Sequence, residues 1–371
     1  MQETCITKYK NQYFEFSNCI ERLVFYKDYY IDEGGHKHSY ELFEELKKLK
    51  IFHRDKYIVI QLNYELGFLF EDLEPLISDE VRLFTLYHFD SFKEVDISKK
   101  SSRSQFHFDY SLDEDSYKKN FKKVMDHLLN GDAYQINLTH LFKMNISSIT
   151  ALKENFLSLR EEFKHGHFYH YLYDRDFELL SNSPECLFEL EGDSLVTRPI
   201  KGTVKQSEGL HKLQNSEKDI SELNIITELL RNDLSRIGES YSNVSKMRDY
   251  FTVPGLFQQY SEIKVRLEPE VDLYQVLRAI YPGGSITGAP KRRVLSLIND
   301  IETTSRNFYT GSTIFITPQF VRGSINIRTA KIEDNEVYYG AGGGITLLSD
   351  ANDEYHELIS KIQSFFTSLS K

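Results

Sequence analysis

The sequence predicts an α+β fold, and three observations carry the prediction. Stretches with apolar residues at helical spacing and stretches that alternate every second residue are mixed along the chain, without the strand–helix–strand order of a parallel sheet. No 20–50-residue repeat or low-complexity tract interrupts them. The 371 residues, 40% hydrophobic and 27% charged, are enough to bury a large core, as one domain or as two closely joined lobes.

The elements follow in order. Residues 1–110 read as a short N-terminal lobe, with helical spacing over 39–49 and a strand over 56–63. Ser, Lys and Asp dominate 95–105, which reads as the connection to a larger domain over 111–371. That domain opens with an amphipathic helix over 113–129, acidic at its start and closed by Asn130-Gly131. A strand over 134–140, a helix over 149–164 and strands over 169–173 and 177–180 come next. Residues 187–197 form two strands around a Glu191-Gly192-Asp193 turn. Beyond them, Lys201 is expected where a strand gives way to irregular backbone. The strongest helical pattern is Glu217–Leu234, with Ile220, Leu223, Ile226 and Leu230 on one stripe. A loop over 281–290 then feeds a helix from Lys291 to about Glu302. Strands over 323–330 and 336–340 are joined at Asp334-Asn335, Gly342-Gly343-Gly344 follows, and a helix over 351–369 closes the chain.

Composition narrows the function. A net charge of −11 argues against nucleic-acid binding, which needs a basic face for phosphates. Cys5, Cys19 and Cys186 show no C-x-x-C spacing, and so neither a disulfide framework nor a zinc site. No cysteine stands in the context of a glutaminase nucleophile. The first ten residues hold no apolar h-region and no apolar run approaches 18 residues, so a cytoplasmic enzyme or binding protein without membrane contact is expected. Gly340–Ile345 has isoleucine where a dinucleotide fingerprint needs a small residue, and Ala289-Pro290 replaces the Lys-Ser/Thr of a phosphate loop.

What remains is a set of charged residues and glycines. Lys201 sits in Arg198-Pro-Ile-Lys-Gly-Thr203, between a proline that fixes φ and a glycine that frees it. An exposed loop lysine fits that context as well as an aimed one. Glu354 and Glu357 share a helix face, and Glu222 lies beside the apolar stripe of the earlier helix. Converging, they would make a hard-oxygen site of the kind Mg2+ takes; solvated surface glutamates have the same spacing. Arg328, between Ile327 and Thr329, suits a structural ion pair or a substrate clamp. The triple glycine suits close anion approach by backbone N–H groups, or a tight turn.

Five ordered motifs, R-P-I-K-G-T at 198–203, E-L-L-R-N-D-L at 228–234, Y-P-G-G-S-I-T-G-A-P-K at 281–291, I-N-I-R-T at 325–329 and G-A-G-G-G-I at 340–345, resemble the chorismate-utilising enzymes. The resemblance runs from about Ser111 to the C-terminus and implies that family's fold, a β-sandwich core flanked by helices. Lysine after Pro-Ile resembles the branch that aminates chorismate at C4, whereas the anthranilate-forming branch typically carries alanine there.

The resemblance further implies that Lys201 attacks C2 of chorismate as the C4 hydroxyl leaves, and that ammonia then adds at C4 and expels the lysine. Glu185, in Ser181-Asn-Ser-Pro-Glu185, would be the general acid. Only about one lysine in a thousand is neutral near pH 7.4, a handicap of roughly 4 kcal/mol that a nucleophile must recover from its surroundings. Mg2+ held by Glu222 and Glu357, with Glu354 close by, would neutralise the ring carboxylate. Arg328, the N–H groups of Gly342 and Gly343, and Thr287 would hold substrate carboxylates. Gln258 occupies the position of a family histidine, and Phe315 replaces a tyrosine. A separate glutamine amidotransferase subunit would supply ammonia. The N-terminal lobe lacks the segment that contacts tryptophan in regulated relatives, so no tryptophan control is expected. The readings left open are anthranilate synthesis, isochorismate or salicylate synthesis, and a binding module without chemistry.

Overall fold

The computed structural model describes residues 2–41, 43–52, 55–96, 104–111, 113–158, 166–253 and 256–370. Its strands form one long antiparallel ladder with two arms. The first arm runs from Gln135–Ile146 through Glu336–Ile345, Thr329–Glu333, Glu178–Ser183 and Phe168–Tyr173 to Thr4–Tyr9. Thr4–Tyr9 pairs onward with Gln12–Phe25, which opens the second arm. That arm continues through Phe84–Glu94, Tyr57–Leu62, Ser312–Ile316, Val321–Ile325, Cys186–Glu191 and Ser194–Arg198 to Leu256–Arg266. Ile200–Lys205 and Asn243–Val253 pair with this last strand. Residues before 110 are therefore hydrogen-bonded into the same sheet as residues after it.

The arms face one another. Cys5, Leu172 and Leu179 from the first arm share a buried cluster with Phe16, Val59, Tyr87, Phe89 and Phe315 from the second. This is the expected sandwich, and helices cover its outer faces. The C-terminal helix Ala351–Ser370 lies on the glycine-bearing strand Glu336–Ile345, and Glu217–Leu234 lies on Ile200–Lys205 and Leu256–Arg266. Each long helix starts on a side-chain cap where the sequence offers one: Asp113 accepts from Asp115 N, and Ser216 from Asp219 N.

Two of the passages between the arms run from Ser183 to Cys186 and from Ile325 to Thr329. Backbone bonds stitch these crossovers together: Ile325 N donates to Glu185 O at 3.1 Å, and Asn182 N to Arg328 O at 3.0 Å. Ser183 Oγ adds a bond to Ile325 O at 2.6 Å. Glu185 and Arg328 are therefore placed by the sandwich itself.

Four local expectations are corrected. The helical spacing over 39–49 yields only Glu44–Lys48, because Lys37–Ser39 is a strand and Phe43 stands at φ 70. The strand at 323–330 breaks at Asn326, with Arg328 at φ 49. The triple glycine is no turn: its strand runs on to Ile345, paired with Gln135–Ile146. Lys201 is the second residue of a strand that carries a register shift between Ile200 and Thr203, with Gly202 at φ 85. The helix over 149–164 is present as Ile149–Ser158; 159–165, and 97–103 of the expected connection, lie outside the described residues.

Candidate active site

The irregularity beside Lys201 aims its side chain inward, and only 13% of that side chain is exposed. Nζ donates to Ser285 O at 3.1 Å and stands 3.6 Å from Glu222 Oε2. The reading of an exposed loop lysine is set aside. Gly202 has to be glycine, since a Cβ there would meet Leu213 and Asp219 at 2.6–2.9 Å.

Glu185, on the first crossover, is 6% exposed, and its Oε1 has no hydrogen-bond partner. Burial pushes its pKa up; the Ser285 hydroxyl and the Lys201, Lys361 and Arg328 cations pull it part of the way back. Ser285, which sequence reasoning missed, thus touches lysine through its carbonyl and glutamate through its hydroxyl. Its loop is braced from below by Arg306, which is 2% exposed. Arg306 donates to Ile286 O at 2.7 Å and Asn137 O at 2.6 Å while paired with Glu302.

The three acidic candidates sit around the glycine strand. A Cβ on Gly343 would lie 3.1 Å from Glu354 Oε2, and one on Gly344 would lie 3.4 Å from Glu222 Oε2. Neighbouring residues of a strand face opposite ways, so the two carboxylates approach from its two faces. Lys218 Nζ joins them, bonded to Glu354 and 3.9 Å from Glu222 Oε1. Glu354 and Glu222 are buried, while Glu357 is half-exposed and paired with Lys361 at 2.8 Å. Burial raises the Glu222 pKa; the Lys361 ammonium is the main cause that lowers that of Glu357.

Among the described residues no three carboxylate, imidazole or thiolate groups stand close enough to form a ready-made metal cage. The donor chemistry nevertheless suits Mg2+: two buried carboxylates already share a cation, the Lys218 ammonium, at the edge of a strand stripped of side chains.

Of the remaining candidates, Thr287 is fully buried with Oγ1 unpartnered. Arg328 is half-buried, and no ion pair of its guanidinium is found among the described residues. Lys361 Nζ donates to Gly342 O at 2.5 Å. In the antiparallel ladder only one of the Gly342 and Gly343 amides can face away from Gln135–Ile146. Gln258 Nε2 donates to Thr203 Oγ1 at 3.2 Å, two residues along the strand from Lys201. Two surface depressions of about 510 and 500 Å3, along Phe108–Tyr110, share no residue with this cluster.

The lysines opposite the acids were also missed. Lys218 to Glu222 and Glu357 to Lys361 are i, i+4 pairs that helix spacing does expose.

The fold is thus an α+β sandwich that gathers an amine, a carboxyl group of raised pKa and a carboxylate–lysine cluster. The pattern that defines the family described as chorismate binding enzyme matches residues 80–367, and the chain belongs to that family. The match begins within the segment read as the smaller lobe. Aminodeoxychorismate synthase component 1 of Escherichia coli (strain K12) is 32% identical over 272 residues, covering 70% of this chain and 59% of that protein. The Salmonella typhimurium protein of the same name is 34% identical over 257 residues, covering 66% and 56%. The chain thus spans a little over half the length of these two relatives. Anthranilate synthase component I from Streptococcus pneumoniae superposes with a TM-score of 0.81 at 20% identity, covering 98% of this chain and 92% of that one, a likeness of fold.

Proposed function

We propose that the chain aminates chorismate at C4 to 4-amino-4-deoxychorismate, in the cytoplasmic route to para-aminobenzoate and folate. Ammonia would come from a separate glutamine amidotransferase subunit. The observation that carries this reading is the inward-facing, largely covered Lys201 amine, 3.1 Å from Ser285 O, next to a glutamate whose pKa is raised. The two relatives that carry the aminodeoxychorismate synthase name support it.

The chemistry follows from the residues. Lys201, once neutral, forms a C–N bond at C2 while both ring double bonds shift by one position around the ring and the C4–O bond breaks. Glu185, whose pKa burial raises, gives its proton to the departing oxygen, which leaves as water. Ammonia then bonds at C4, both double bonds return to their first positions, and the C2–N bond to lysine breaks. Arg328 and Thr287 suit a substrate carboxylate by charge and by an unpaired hydroxyl. Glu222, Glu354 and Glu357 would hold Mg2+, which when bound supplies positive charge for the ring carboxylate.

The test is to incubate the purified chain with chorismate, Mg2+ and ammonium at alkaline pH and identify the product by mass. 4-Amino-4-deoxychorismate is expected. Anthranilate, isochorismate, salicylate or unchanged chorismate would overturn the reading. Glutamine should replace ammonium only when an amidotransferase subunit is added.

A further inference from the structure

Gln135 opens the strand Gln135–Ile146, and no motif drew attention to it. Its side chain has no exposure to solvent, yet both Nε2 and Oε1 lack a hydrogen-bond partner. A buried amide with neither end paired is among the costlier polar arrangements in a protein, so its position needs a reason.

Its surroundings supply one. A Cβ added to Gly344 would lie 2.3 Å from Gln135 Nε2 and 3.4 Å from Glu222 Oε2. The room left by that missing side chain is thus shared by the amide and by the carboxylate that contacts Lys201 at 3.6 Å. On the same strand segment, Gly288 pairs with Ile136 and Ala289 with Gln135, which fixes the backbone beneath the amide.

We propose that Gln135 is a substrate-contacting residue, whose amide donates to an oxygen of the bound chorismate at the Glu222 end of the site. The inference rests on the chorismate reading above. A neutral donor suits this position: a cation would compete with Lys201 and Lys218 for Glu222, and an acid would repel a dianionic substrate.

Orphan status gives the test an unusual sign. Gln135→Met keeps the length of the side chain and removes the unpaired groups, so thermal unfolding should occur at the wild-type temperature or higher. Chorismate affinity, measured by calorimetry on the full chain, should fall about tenfold to a hundredfold, the worth of a hydrogen bond to a charged group. Under turnover, KM should rise by more than kcat falls. An affinity loss smaller than fivefold overturns the assignment. So does a lowered unfolding temperature or a variant that fails to fold, since either outcome gives the amide a structural role. Absence of chorismate binding by the wild-type chain would overturn the function proposed above and this assignment with it, a result separable from wild-type binding that Gln135→Met leaves intact.

Discussion

Lys201 Nζ stands 3.6 Å from Glu222 Oε2, and through that carboxylate two parts of the site are joined. Glu222 Oε1 faces Lys218 at 3.9 Å, and Lys218 in turn holds Glu354. One buried glutamate therefore serves both the proposed nucleophile and the proposed cation site. The positive charges around it are fixed by geometry, so the consequences of removing each can be reasoned separately.

Lys201→Ala should abolish amination while the protein stays folded. The lysine makes one hydrogen bond and one ion pair and contributes little apolar packing. Its loss removes the group that forms the bond to C2, which should lower the rate by roughly a thousandfold or more. Product formation from chorismate and ammonium, followed by mass, checks this beside a thermal melt of the variant. Amination at the wild-type rate would remove Lys201 from the mechanism.

Glu185→Gln separates catalysis from stability by pH. As general acid, Glu185 should be worth about 10²–10⁴-fold in rate. In the wild type, activity should decline as pH rises through the raised pKa of this carboxyl group, and the residual activity of the glutamine variant should lack that limb. Stability carries the opposite sign. The folded pKa lies above the unfolded one, so the native state is penalised at pH values above the folded pKa, and the penalty vanishes below the unfolded value near 4.3. The variant should accordingly melt higher than wild type at neutral and alkaline pH, and the gap should close near pH 4. Melts across that range decide the matter.

The contrast between what the sequence reveals and what it hides has physical causes. The helix Glu217–Leu234 is legible to the residue because its stripe, its Ser216 cap and its acidic first turn agree. The turn at Gly192 is legible because glycine there stands at φ 65. Lys201 could be picked out through one of the ordered motifs, Glu185 through the Ser181–Glu185 stretch and the acidic triad through helical position, yet none of these shows how the side chains meet. Asp233 and Lys291, drawn from two of those motifs, turn out to be a buried ion pair at 2.9 Å that ties one motif to the other. The triple glycine read equally as an anion-binding backbone and as a tight turn, because glycine weakens a strand. What makes it a strand is tertiary: Leu138 O, Glu354 and Gln135 occupy the places of its side chains. Gln135, Ser285 and Arg306 stayed hidden because their roles depend on long-range contacts that no local spacing encodes.

Lys218→Met should tighten Mg2+ binding and weaken the cation-free protein. Removing the ammonium leaves Glu354, whose side chain is 2% exposed, with only the Ser349 hydroxyl as partner among the described residues, a loss on the order of 1–2 kcal/mol for a pair whose lysine is one-third exposed. The carboxylates then lack a resident cation, so a divalent one meets less competition. Calorimetric titration with Mg2+ should show a higher affinity than wild type, and the ion should restore most of the lost melting temperature. Equal or weaker affinity would argue that Lys218 is no competitor for the carboxylates.

Alanine at Gly342 and at Gly343 should have opposite kinds of effect, although the residues are adjacent. A Cβ on Gly342 would lie 2.3 Å from Leu138 O, a backbone atom held in the ladder, so the strands themselves must part. Gly342→Ala should cost about 2–3 kcal/mol, visible as a lower denaturation midpoint with or without ligands. A Cβ on Gly343 meets Glu354 Oε2 at 3.1 Å, the far end of a side chain that can shift by a few tenths of an ångström. Gly343→Ala should therefore leave the midpoint within about 1 kcal/mol of wild type while displacing Glu354 and lowering Mg2+ affinity. Denaturation and Mg2+ titration of both variants provide the check. If Gly343→Ala proves as destabilising as its neighbour and binds Mg2+ like the wild type, the strand face at 343 supports the sheet alone and Glu354 takes no part in holding the ion.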